Sequence, residues 1–186
     1  MNVGMLAMQK QFEPLGKMID DFQQINMRIR TSKIPVVVAT QGYVFGGGCE
    51  IAMHCDAGIY AAESYIGLVE VGVGLLPGGG GTKEFAVRAS DDFFDGDVQS
   101  PTLINYFKTI ATATVSTSAY EAYDLNYLKE GRDFVSVNTP MNIGLAKEKV
   151  LQLAENYMPP SVREDIQVLG RGGLSVLYSA INEFRL

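Results

Sequence analysis

Two glutamates stand 20 residues apart, each set among glycines: Gly46-Gly47-Gly48-Cys49-Glu50 and Ile66-Gly67-Leu68-Val69-Glu70. Pro77-Gly78-Gly79-Gly80-Gly81-Thr82 follows them. Glycine lets a backbone approach a ligand closely and present bare N–H groups. A pair of carboxylates can then move protons while those N–H groups hold a developing negative oxygen. Glu50 falls near a helix start, where the helix dipole favours a carboxylate. Glu70 lies in the run Ile66 to Leu76, which holds no other charge. Partial desolvation there should raise its pKa and suit it to general-acid work.

Other chemistries fail on spacing or on ligand supply. A Walker loop needs Lys directly after its last glycine, then Ser or Thr; here Gly81 is followed by Thr82-Lys83. A dinucleotide fingerprint fails because Pro77 stands where Gly72-Val73-Gly74 needs its third glycine. One histidine and two cysteines, Cys49 and Cys55, leave a soft metal short of ligands, so no metal is expected. His54 reads as a packed or surface side chain and Cys49 as a small packing residue. Tyr60, Tyr65 and Tyr106 read as core or interface, and Met5, Met8, Met18 and Met27 as ordinary core.

The elements that must position these groups follow from periodicity. Residues 3–31 read as one helix, with Leu15, Met18, Ile19, Phe22, Ile25 and Ile29 forming an apolar stripe and Pro14 starting or kinking it. Ile34 to Ala39 is a β-branched run expected to be a buried strand. A helix from Gly48 to Cys55 and a strand from Ala57 to Ala61 complete a βαβ pattern with its functional turn after the first strand. Thr82 is a plausible N-cap for a helix to about Arg88, and Asp91 to Pro101 reads as an acidic surface loop. Further on, a helix is expected over Leu103 to Ala113. A capping box joins Ser118 to Glu121, and a brief strand runs from Asp133 to Asn138. Thr139-Pro140 then starts a helix to about Tyr157, stopped by Pro159-Pro160.

The chain has 186 residues, enough for one ordinary domain with a real core. Hydrophobic residues make up 47% and charged residues 19%, a globular rather than disordered composition. A net charge of −6, with only Arg28 and Arg30 as a basic patch, argues against a nucleic-acid surface. No stretch approaches the roughly 20 apolar residues of a membrane span. Sparse cysteine use points to a reducing cytoplasm.

The order and spacing of these motifs resemble the enoyl-CoA hydratase (crotonase) family. The resemblance rests on Ile34-Pro35-Val36-Val37-Val38-Ala39, Gly42-Tyr43, Gly46 to Ala52, Asp56, Gly67, Glu70, Gly74 and Pro77 through Thr82. More narrowly, Val69 to Leu75, Thr82-Lys83-Glu84 and Val87 to Ser90 resemble the hydratase portion of bacterial proteins fused to a 3-hydroxyacyl-CoA dehydrogenase. Val115 to Ala119 and Val168 to Arg171 support the same match. The resemblance implies an α/β fold: a crotonase-like ββα spiral core over residues 1–114, lacking its N-terminal strands, with C-terminal helices over 115–186. It implies reversible hydration of 2-enoyl-CoA thioesters in fatty-acid β-oxidation. Gly47 N–H would belong to the oxyanion hole, Glu50 would activate water, and Glu70 would exchange the α-carbon proton. Gly46, Gly48 and Gly78 would shape the substrate site. Coenzyme A would enter as the substrate's carrier, and trimers are the expected assembly.

The pattern also departs from the family's. Its second oxyanion donor would fall just upstream of Met1, with Asn2-Val3 matching the end of that stretch. The expectation is therefore a piece of a longer polypeptide, impaired alone, with NAD binding confined to a dehydrogenase portion outside it. Two alternatives stay open: an enoyl-CoA isomerase, needing only the acid at Glu70, and an inactive scaffold or oligomerisation module.

Overall fold

The computed structural model describes residues 3–184, with side chains to Asn182. Met1 and Asn2, where the expected family junction falls, lie outside it. The expected first helix is two: α1 (Val3–Met8) and α2 (Phe12–Arg30). Lys10 breaks them apart with φ of 56°. Pro14 is the third residue of α2, where a missing N–H costs no helical bond. The stripe of α2 is only half covered: Phe22 is half-buried, Ile25 is exposed, and Asn26 is the buried residue of the helix. Met5 and Met8 are likewise exposed, against the core reading.

Strand β1 (Val37–Thr40) leads through Gly42 to β2 (Tyr43–Phe45), then to α3 (Gly47–His54). Strand β3 (Ala57–Ala61) leads in the same way to β4 (Tyr65–Gly67) and to a 3-10 turn at Glu70–Val73. The expected βαβ unit is present, but with a second small sheet inserted into it. β1 and β3 pair in parallel, Val37 with Ala57 through Thr40 with Tyr60, while β2 and β4 pair in parallel beside them. β3 is buried along its length, as a parallel strand covered on both faces must be. This repeated strand–strand–helix path is the expected ββα spiral.

Helix α4 (Gly81–Asp91) follows the tetraglycine. Its N-cap is Gly80 at φ 110°, not Thr82, because the turn needs a left-handed residue that threonine adopts poorly. α5 (Ser100–Ala111) takes in Pro101 at its first turn, so the acidic loop is shorter than expected. At α6 (Glu121–Asp124), Ser118 Oγ accepts the Glu121 N–H at 3.2 Å. The Glu121 carboxylate reaches back one residue beyond a standard capping box, to Thr117 N–H at 2.6 Å. β5 (Asp133–Ser136) pairs in parallel with β3, giving the sheet order β1-β3-β5. A 3-10 turn at Thr139–Met141 precedes α7 (Asn142–Ala154), and α8 (Gly170–Phe184) ends the described chain. The core gathers Met53, Tyr60, Ile66, Leu68, Phe85, Tyr106 and Tyr127 behind α3. Tyr65 is exposed instead, at the start of β4.

Candidate active site

The small parallel sheet brings the two acids together. Phe45 pairs with Gly67, so the chain after each residue leaves the same end of the sheet. One path continues through Gly46 into α3; the other continues through Leu68 and Val69 to Glu70. Gly46 N–H donates to Gly67 O at 2.9 Å, tying the two exits. Gly46 has φ of 52° and no Cβ, and a Cβ there would stand 2.9 Å from Glu70 Oε1. Both facts require glycine. The Glu70 carboxylate thus lies against the residue just before Gly47, whose N–H opens α3 and has no intrahelical acceptor. Gly48 is exposed beside it.

Glu50 stands in the first turn of α3 and is buried. Its N–H donates to Gly46 O at 2.9 Å. Its carboxylate reaches across to the tetraglycine turn, where Oε1 accepts the N–H groups of Gly79 and Gly81, each at 2.8 Å. A side chain on Gly79 would have to displace both neighbours: a Cβ would stand 2.6 Å from Glu50 Oε2 and 2.2 Å from Phe22 Cε1. Helix α2 in turn clamps this turn. Asn26 Nδ2 donates to Gly79 O and Gln23 Nε2 donates to Gly78 O, each at 2.7 Å. Phe22 covers Gly47 as well, 3.2 Å from where its Cβ would be. The Phe22 ring therefore packs against both Gly47 and Gly79.

Burial pushes the Glu50 carboxyl up from its ordinary value, against the peptide N–H groups of Gly81, Gly79 and Gly80, which favour its charge. Glu70 is also pushed up, by burial first and then by the negative charge of Glu50, with its own backbone N–H opposing. Its Oε2 is buried with no hydrogen-bond partner among the described residues. The Glu50 charge thus disfavours ionisation of Glu70, which suits Glu70 to the acid role.

The rest of α3 is anchored from behind. His54 is buried, and burial lowers its pKa to about 4, so it is neutral at pH 7. Its Nδ1 stands 2.6 Å from Glu50 O and its Nε2 2.9 Å from Lys83 Nζ. The ammonium must donate there, which leaves the proton on Nδ1 to bond the carbonyl. Arg30 and Arg132 both donate to Met53 O, at 2.7 and 2.8 Å, answering the negative end of the helix dipole.

The structure therefore sets Glu70 against Gly46, and holds Glu50, in the helical turn that Gly47 opens, against Gly79 and Gly81. Gly78 is less directly involved: the Glu50 N–H donors belong to its neighbours, and a Cβ on Gly78 would meet only Ile19 and Leu76 at ordinary contact distances. Gly79, Gly81, Phe22, Gln23 and Asn26 were missed by the sequence reading. The glycine run signalled a turn but not which of its amides face a carboxylate. The polar pair on α2, three residues apart on one helix face, was the available signal.

Residues 5–91 match the family described as enoyl-CoA hydratase/isomerase. A probable 3-hydroxyacyl-CoA dehydrogenase of Bacillus subtilis is 37% identical over the whole chain, which spans 23% of that relative's length. A short-chain-enoyl-CoA hydratase of Clostridium acetobutylicum is 28% identical over 66% of the chain and 47% of the relative. Among solved structures, an enoyl-CoA hydratase from Polaromonas superposes with a TM-score of 0.61 at 18% identity, covering 98% of this chain and 67% of the other. One from Bacillus anthracis gives 0.57 at 24% identity, covering 91% and 61%. These two likenesses show the fold, that of the hydratases. With the fold, the sequence match and the ββα path in agreement, residues 5–91 form a segment of the enoyl-CoA hydratase/isomerase family.

Proposed function

We propose that this chain supplies the carboxylate pair that adds water across the double bond of a 2-enoyl-CoA thioester. The supporting observations are the Glu70 carboxylate lying against Gly46 and the Glu50 carboxylate, from the same helical turn as Gly47, fixed by two peptide N–H groups. Conjugation with the thioester makes the β-carbon electrophilic. Water attacks it, losing a proton to Glu50, and the π electrons move onto the thioester oxygen at the Gly47 N–H. As the enolate collapses, the Glu70 acid gives its proton to the α-carbon. The product is a 3-hydroxyacyl thioester, and the proton gained by Glu50 resets Glu70. One well-placed N–H donor contributes on the order of 3 kcal/mol to such a step.

The reading extends to β-oxidation within a longer polypeptide that also carries 3-hydroxyacyl-CoA dehydrogenase activity, with the isolated chain impaired. The likeness to the Bacillus subtilis relative and to a putative trifunctional fatty acid oxidation enzyme from Rickettsia felis supports this. Glu50→Gln and Glu70→Gln should each lower the hydration of crotonyl-CoA by about 10²-fold or more, assayed in a polypeptide of the relatives' full span. Undiminished turnover in both variants would remove the mechanism. Isomerisation of a 3-enoyl-CoA needs only Glu70, so activity on that substrate surviving Glu50→Gln would favour the isomerase instead.

A further inference from the structure

Beside α4 lies a cavity of about 340 Å³, bordered in part by Pro160, Ser161, Val162, Arg163 and Ile166. Six cationic side chains line it: Arg30, Lys83, Arg88, Lys129, Arg132 and Arg163. Five of them have carboxylate partners. Arg30 and Lys83 share Glu84, Lys129 and Arg163 share Asp91, and Arg132 pairs with Asp133 at 2.6 Å. Arg163 also meets the exposed Asp165 at 2.8 Å. Six cations therefore face four carboxylates, in a chain whose net charge is −6.

The surplus is centred on Arg88. It is 1% exposed, and among the described residues it has no carboxylate partner. Its Nη1 donates to the Asn126 and Tyr127 carbonyls, while its Nε and Nη2 are buried with no acceptor among the described residues. An uncompensated buried guanidinium is costly, and each unmade bond adds to that cost. Burial first, then the charge of Arg132, lowers its pKa to about 10, so it stays charged at neutral pH. Arg88 is one of the residues lining the cavity, and its guanidinium carries two N–H groups that no described acceptor fills. Met27, Val87, Val162 and Ile166 give the same cavity an apolar side. Its volume is within the range of small-molecule sites.

We propose that this cavity binds an organic phosphate, its phosphoryl oxygens taking the free donors of Arg88 beside the mouth cations Lys129 and Arg163, and its apolar body lying on the Met27–Val87 side. A guanidinium fork matches a phosphoryl group in planar, bidentate geometry. The proposal is independent of the acyl-CoA chemistry.

Calorimetric titration of the 186-residue chain with phenyl phosphate, inorganic phosphate and phenol tests it. Phenyl phosphate should bind one to one with Kd below about 1 mM. Inorganic phosphate should bind more weakly, and phenol not at all. Arg88→Met should weaken phenyl phosphate binding about tenfold or more. Arg163→Gln, a change at the exposed mouth that keeps the core intact, should weaken it severalfold and decides the matter if Arg88→Met does not fold. Phenyl phosphate binding no tighter than phenol, or affinity unchanged in the folded variants, would overturn the proposal.

Discussion

Two neighbouring glycines should respond oppositely to the same substitution. Neither Gly78 nor Gly79 has a positive φ, so alanine meets no backbone penalty at either position. At Gly78 the new methyl would meet Ile19 Cγ2 at 3.6 Å and Leu76 O at 3.8 Å, both ordinary contacts. Gly78→Ala should therefore be neutral or stabilising by up to about 0.5–1 kcal/mol, through a less flexible unfolded chain. At Gly79 the methyl would stand 2.2 Å from Phe22 Cε1 and 2.6 Å from Glu50 Oε2. Carbon–carbon contacts settle at about 3.5–4.0 Å, so Phe22 and the Glu50 carboxylate must both move. Overpacking of this kind costs about 1–3 kcal/mol. For a chain of this size that lowers Tm by about 2–4 °C per kcal/mol. Because Gly79 N–H is one of the two donors on Glu50 Oε1, hydration should fall as well, by on the order of 10²-fold. Thermal melts of both variants and their initial rates with crotonyl-CoA give the comparison. Equal losses in the two variants, or greater damage at Gly78, would refute the assignment of the carboxylate to the Gly79 side of the turn.

Three further outcomes follow from the same geometry. The folded-state pKa of Glu70 is raised, so its share of stability is complete below the ordinary carboxyl value and is lost as pH rises through the folded value. Glu70→Gln should then raise Tm at pH 7, and the gain should vanish below about pH 4.5; a gain that persists in acid would contradict it. Asn26→Ala leaves a buried Gly79 carbonyl without its donor and should cost about 1–3 kcal/mol in urea unfolding. Gln23→Ala, on the exposed face, should cost about 0.5–1 kcal/mol, and a reversed order would undo the clamp. At Glu84, burial works to raise the pKa, but Arg30, Lys83 and His54 outweigh it and hold the carboxyl low. Its contribution is thus present above the ordinary carboxyl value and lost as pH falls through the folded one. Glu84→Gln should destabilise by about 1–3 kcal/mol at pH 7, less than a fully buried pair because Arg30 and Lys83 are partly solvated, and a neutral substitution would count against the network.

Local chemistry was legible in the chain, and long-range pairing was not. Glu50, Glu70 and the glycines beside them sit within one stretch whose motif order marks a turn and a helix start, and the β-branched run at Val37 marks a strand. Tyr43–Phe45 and Tyr65–Gly67 escaped notice because three residues carry too little alternation to signal a strand. Yet their pairing is what sets Glu70 against Gly46. Asn26 and Gln23 reach carbonyls 53 and 55 residues away, a contact no local pattern encodes. Residues 3–31 read as one helix because the left-handed backbone of Lys10 has no glycine to announce it. α8 lies beyond two prolines and a segment without regular structure, and its four-residue opening Gly-Arg-Gly-Gly hides a helical period.

The division of labour between the two acids can be measured without turnover of an enoyl substrate. Deuterium exchange at the α-carbon of a saturated acyl-CoA, followed by NMR in heavy water, needs the Glu70 carboxylate and the Gly47 amide but no attacking water. Exchange should be abolished by Glu70→Gln and should survive Glu50→Gln. Loss in both variants alike, or exchange persisting without Glu70, would contradict the roles given to this pair.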